Sequence, residues 1–156
     1  MNGKAVFALT ASVVACGAFA SATAQGSHTG RAVVKTAYNK QLKRPIVVDG
    51  NGRSLYMWTA EINGQSLCTG SCLKIWPPLT TTAAPQPGKG VNPKLLGVIS
   101  AHGKQQVTYN HHPLYIFHGQ AGYGAPDRKA GDLNGQGLFQ VWFVLSPKGR
   151  PIKTVP

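Results

Sequence analysis

The sequence predicts an all-β or mostly β fold: antiparallel hairpins from two copies of one motif, in a small single domain with long Gly- and Pro-rich loops. Three observations carry this expectation. Nineteen Gly and eleven Pro stand among 156 residues, a share that favours turns over helices. Short β-branched or alternating runs are separated by strong turn signals. Finally, Val48, Asn51, Leu55, Tyr56 and Trp58 recur 59 residues later as Val107, Asn110, Leu114, Tyr115 and Phe117. A lone hairpin cannot bury its own face, so the two units are expected to share a core.

Residues 1–24 read as a signal peptide. Lys4 opens an apolar stretch from Ala5 to Ala20, and Ala22-Thr23-Ala24 offers small residues for cleavage before Gln25. That stretch falls short of the roughly 20 apolar residues that span a bilayer as a helix. Val13-Val14-Ala15-Cys16 offers a competing site, at which Cys16 would carry lipid. Residues 25–45 form a basic leader read as a flexible tether followed by a short first strand at Ala32-Val33-Val34, with a break at Pro45. The domain proper is expected over residues 46–150, with residues 151–156 as a C-terminal tail.

Ile46-Val47-Val48 runs into Asp49-Gly50-Asn51-Gly52, a hairpin-turn signal. The return strand, Ser54 to Trp58, alternates Leu55 and Met57 with Tyr56 and Trp58 on opposite faces. Lys74 to Leu79 carries Pro77-Pro78 and cannot be a central strand, and Thr80 to Gly90 reads as a loop. Asn92-Pro93 opens one short helix, with Asn92 as cap. Strands follow at Val98–Ser100 and Gln106–Tyr109 around His102-Gly103, and again from Pro113 to Phe117. Ala121 to Gly137 reads as a long exposed loop. Phe139, Val141, Phe143 and Leu145 alternate in a last strand.

Once Cys16 is set aside, Cys68 and Cys72 remain, and an even pair in an exported chain is most simply a disulfide. Gly70 permits the sharp turn of so small a ring. A redox-active pair and metal ligation are the alternatives.

These residues together are recognisable. The chain resembles the bacterial secreted-repeat family of unknown function, predicted lipoproteins with a Yx(FWY)xxD motif. The resemblance rests on Val48 to Trp58, Cys68 to Cys72 with Trp76-Pro77-Pro78, Gly90-Val91-Asn92, Gln106 to Phe117, Gly131 to Gly137, and Val141-Trp142-Phe143 through Gly149. It implies a small exported domain, in some members lipid-anchored, and carries no catalytic residues. At the motif's acidic position the first copy has Glu61 and the second Gln120, which bears no charge, so an acid pair at the motif positions is not expected.

Hydrolytic chemistry needs paired carboxylates, a metal or an activated nucleophile. The only acids are Asp49, Glu61, Asp127 and Asp132. Asp49 reads as a turn residue, and Asp132-x-Asn134-Gly135 lacks the further oxygen ligands of a calcium loop. His102, His111, His112 and His118 are candidate metal or haem ligands, although His111-His112 occupies a turn; His28 lies in the leader. Tyr56, Trp58, Tyr115 and Phe117 are read as core, with a ligand-stacking face as the sharper option. Sixteen Lys plus Arg against four acids leave a net charge of +12, which favours polyanionic partners. The expected function is an exported, non-catalytic envelope module that binds an anionic surface or an envelope protein, with no specific nucleic acid and no resident cofactor. The alternative is a metal- or haem-linked redox-associated periplasmic protein.

Overall fold

The computed structural model describes residues 30–156. The signal peptide, both cleavage sites, Cys16 and His28 lie outside the described residues. The fold is mostly β, with β1 at Val33–Asn39 and β2 at Arg44–Asp49 paired antiparallel from Val34↔Asp49 to Asn39↔Arg44. Asn39 shapes the connecting turn, its side-chain oxygen accepting from the amides of Gln41 and Leu42 at 3.0 Å each.

The first strand expected at Ala32-Val33-Val34 is present and runs on to Asn39, so the flexible leader is corrected from Val33 onward, as is the break at Pro45. Pro45 sits inside β2, opposite Tyr38. The alternate amides of β2 point away from β1: Val47 N–H donates to Leu145 O and Asp49 N–H to Arg53 O, both at 2.9 Å. Pro45 shares their parity, so its missing N–H removes no bond between β1 and β2.

The turn after β2 forms as its residues dictate. Asp49 accepts from the amides of Asn51 and Arg53 at 2.9 Å, and its other oxygen holds Arg53 Nε at 2.8 Å. Val48 bridges Ser54 before the chain leaves for β3, Tyr56–Trp58. A one-turn helix α1, Cys72–Ile75, precedes Trp76-Pro77-Pro78. The expected loop from Thr80 to Gly90 contains two short strands, β4 at Thr80–Thr81 and β5 at Gln86–Pro87, the latter parallel to β1. The short helix at Pro93–Leu95 is a 3-10 turn capped by Asn92, which accepts from Lys94 N–H at 3.0 Å.

A second hairpin, β6 (Leu96–Ala101) and β7 (Lys104–Tyr109), turns through His102-Gly103, both with positive φ. β8 is only His112–Pro113. The last strand, β9, is Trp142–Val144, paired with β3. It is shorter than expected because Gly137 N–H closes onto Trp142 O at 2.8 Å. The chain between folds into a tight turn with Phe139 exposed at its tip.

Two further expectations are corrected. Within Ala121 to Gly137, Asp127, Leu133 and Gln136 are buried. Gln136 ties the segment down by donating to Ile152 O at 2.6 Å and accepting from Val144 N–H at 2.9 Å. The tail also joins the sheet: Pro151 bridges Leu145, and Ile152 N–H donates to Val144 O at 2.9 Å.

The alternation within the motif sorts the interior into two cores. Leu55, Met57, Leu114 and Ile116 face an aliphatic one with Val34, Val47, Val107 and Leu145. Tyr56, Tyr115 and Phe117 face an aromatic one with Trp76 and Trp142, and Trp58 packs at its margin. The motif copies pair with each other directly. Tyr56 N–H donates to Tyr115 O and Tyr115 N–H to Tyr56 O, both at 2.9 Å. Beyond them the halves exchange strands: Tyr56 pairs with Val144 of the second half, and Tyr115 bridges Pro78 of the first. Likewise Val47 N–H donates to Leu145 O, and Val107 N–H donates to Leu79 O.

Candidate functional site

The aromatic core holds the residues that the sequence singles out, and the same two-fold relation organises its chemistry. Each motif tyrosine donates to a carboxylate from the other copy. Tyr115 O–H donates to Glu61 Oε1 at 2.7 Å, and Tyr56 O–H to Asp127 Oδ2 at 2.6 Å. The backbone confirms the equivalence of the acids: Glu61 N–H donates to Trp58 O and Asp127 N–H to Phe117 O, each at 3.0 Å. Asp127 therefore does what the motif acid does in the second copy, twelve residues after Tyr115 rather than five. Gln120, at the motif position, is exposed in a turn with Gly124.

Both acids are buried, and both are held by main-chain amides. Glu61 Oε1 also accepts from Leu67 N–H at 2.6 Å and Cys68 N–H at 3.1 Å, while Asp127 Oδ1 accepts from Asn134 N–H at 2.9 Å. Burial raises both carboxyls above their ordinary range, against the lowering effect of these donors. Burial likewise raises the Tyr56 and Tyr115 phenols. Glu61 Oε2 is buried with no partner.

The tryptophans meet between the halves. Trp76 and Trp142 stack with ring centroids 4.0 Å apart and planes 7° from parallel. Tyr56 meets Trp76 edge-on, and Tyr115 meets Trp142 edge-on, each at 5.3 Å. Trp58 stacks on the outer face of this pair, 5.5 Å from Trp142. Gly135 is required here, because a Cβ at that position would lie 2.7 Å from the Trp76 ring. The motif aromatics are packed against one another as core.

Cys68 and Cys72 are joined in a disulfide with Cα atoms 5.4 Å apart. The link fixes the turn whose Leu67 and Cys68 amides hold Glu61.

The histidines are dispersed. His102 is exposed, its Nε2 3.0 Å from Ser66 Oγ, and Ser66 Oγ lies 2.9 Å from Tyr115 Oη. A polar chain thus runs from the surface through Ser66 and Tyr115 to Glu61, and sequence reasoning did not single out Ser66. His111 and His118 are exposed; His112 is half-buried, and burial lowers its imidazole. Among the described residues no three His, Cys, Asp or Glu side chains are grouped to hold a metal ion.

Charge is sorted by depth. Asp49, Glu61 and Asp127 are buried, and Asp132 accepts from the amides of Arg128 and Lys129 at 2.9 and 2.8 Å. Every described Lys and Arg except the half-buried Lys35 and Arg53 is exposed. The surface is therefore more uniformly positive than the net charge alone conveys.

Asp127 is the residue that sequence reasoning passed over as loop. Its signal is a spacing: Glu61 precedes Trp76 by fifteen residues, and Asp127 precedes Trp142 by fifteen. Residues 98–146 match the family model of a secreted repeat of unknown function. That segment holds the second motif copy with Asp127 and Trp142. No curated protein and no solved structure matches the chain.

Proposed function

We propose, from a chain that carries a secreted-repeat segment and turns its bases outward, an exported non-catalytic envelope module that adheres to an anionic surface. The observation that carries the reading is the burial of three of the four acids beneath a surface of exposed Lys and Arg. Asp49 is paired with Arg53, and the carboxyls of Glu61 and Asp127 lie behind tyrosine and main-chain donors, so the side chains an approaching polyanion meets first are almost all basic. The description of the matched family as secreted agrees with an envelope setting. Among the described residues no helix is long and apolar enough to cross a membrane, and surface adhesion requires none.

The test is co-sedimentation with phosphatidylglycerol vesicles and with phosphatidylcholine vesicles. Screening contracts from about 10 Å at 0.1 M salt to about 3 Å at 1 M. Binding is expected only to the anionic vesicles and is expected to weaken strongly across that range. Equal binding to both lipids, or to neither, contradicts the proposal.

A further inference from the structure

We infer that Phe139 and Tyr123 form an anchor that enters an anionic phospholipid bilayer once the basic surface has reached it. This rests on the envelope-surface reading above and identifies the face that makes contact. Phe139 is 62% exposed and Tyr123 36%, and their rings touch edge-on at 5.3 Å. Val155, also exposed, packs beside Gly137, where an added Cβ would lie 2.6 Å from it. Tyr38 has no aromatic partner of this kind among the ring contacts of the described residues.

The backbone presents Phe139 deliberately. Phe139 and Gln140 are consecutive non-glycine residues in the left-handed region, with φ of 53° and 58°, a conformation that persists only where surrounding structure imposes it. Here it is imposed by Gln140 N–H to Gly137 O at 2.9 Å and Gly137 N–H to Trp142 O at 2.8 Å. The ring is therefore held out on a turn whose base continues into the aromatic core. An apolar ring fixed outward and still largely exposed beside Tyr123 gains by leaving water.

Charge decides the occupant. Lys153 lies two residues before Val155, and exposed Arg128 and Lys129 follow the Tyr123 turn. The acid nearest Tyr123 in sequence, Asp127, is buried under Tyr56, and Asp132, the acid nearest Phe139, turns its carboxylate to the amides of Arg128 and Lys129. An aromatic tip flanked along the chain by exposed cations matches the headgroup layer of an anionic bilayer, where rings settle at the acyl boundary while Lys and Arg stay with the phosphates.

The experiment uses the protein as exported, phosphatidylglycerol vesicles, and three variants: Phe139→Ser, Phe139→Trp and Tyr38→Ser. Phe139→Ser is expected to bind about tenfold more weakly and Tyr38→Ser as wild type. The indole of Phe139→Trp is expected to be quenched by lipids brominated along the acyl chain. If wild type does not bind these vesicles, the envelope-surface reading falls and this inference with it. If wild type binds but Phe139→Ser binds equally well, or bound Phe139→Trp escapes quenching, this inference alone is overturned. Loss of a concentration-dependent dimer in Phe139→Ser, with vesicle binding intact, would assign the face to a second copy and also overturn it.

Discussion

Glu61 shows how a single side chain was half legible. The motif marks its place and its acidity, but not that it would serve the tyrosine of the other copy, because that contact spans 54 residues. Burial raises its carboxyl, so the folded state holds the proton more tightly than the unfolded chain. Its contribution to stability is then complete below the ordinary carboxylate range and declines as pH rises through that range toward the raised value. In urea titrations at several pH values, wild type is expected to gain stability over Glu61→Gln as pH is lowered from neutral toward the ordinary carboxylate range. A difference that moves the other way would show that its amide and phenol donors outweigh its burial. Asp127 was not legible by position, since the extra residues before it break the motif spacing and leave only its distance to Trp142 as a clue.

Elements whose cause is local could be read from the chain. The Asp49–Gly52 and His102-Gly103 turns, the Asn92 cap and the two-faced alternation of Leu55 to Trp58 each depend on neighbours a few residues away. Elements whose cause is distant could not. β5 exists because β1 offers it an edge, β9 because β3 does, and Phe139 fails its expected alternation because Gly137 closes onto Trp142. The disulfide is local in both senses. Its five-residue ring constrains little of the unfolded chain, so Cys68→Ser/Cys72→Ser is expected to lose about 1–2 kcal/mol in chemical denaturation. The variant should also keep the near-ultraviolet signal of the tryptophan stack. Collapse of that signal under native conditions would mean that the ring holds the aromatic core as well as its own turn.

Across the molecule, the exchange of strands makes the halves one cooperative unit. Neither half contains both partners of its motif strand: β3 needs β9, and Tyr115 needs Pro78. Thermal unfolding is therefore expected as a single transition, with far-ultraviolet and tryptophan probes coincident and calorimetric and van't Hoff enthalpies equal. Two resolved transitions would mean that the halves fold separately. The 59-residue repeat announced the duplication, but whether the copies lie side by side or clasp each other depends on contacts that no single stretch of sequence records.

The clasp has a consequence for descent. An isolated half would leave its tyrosine without an acid and its central strand without a neighbour, yet two identical halves related by a two-fold axis would supply both to one another. The chain has the arrangement that such a homodimer, joined end to end, would have. Within one chain the two halves need not be identical, and here only the first carries the disulfide and only the second the outward-facing ring.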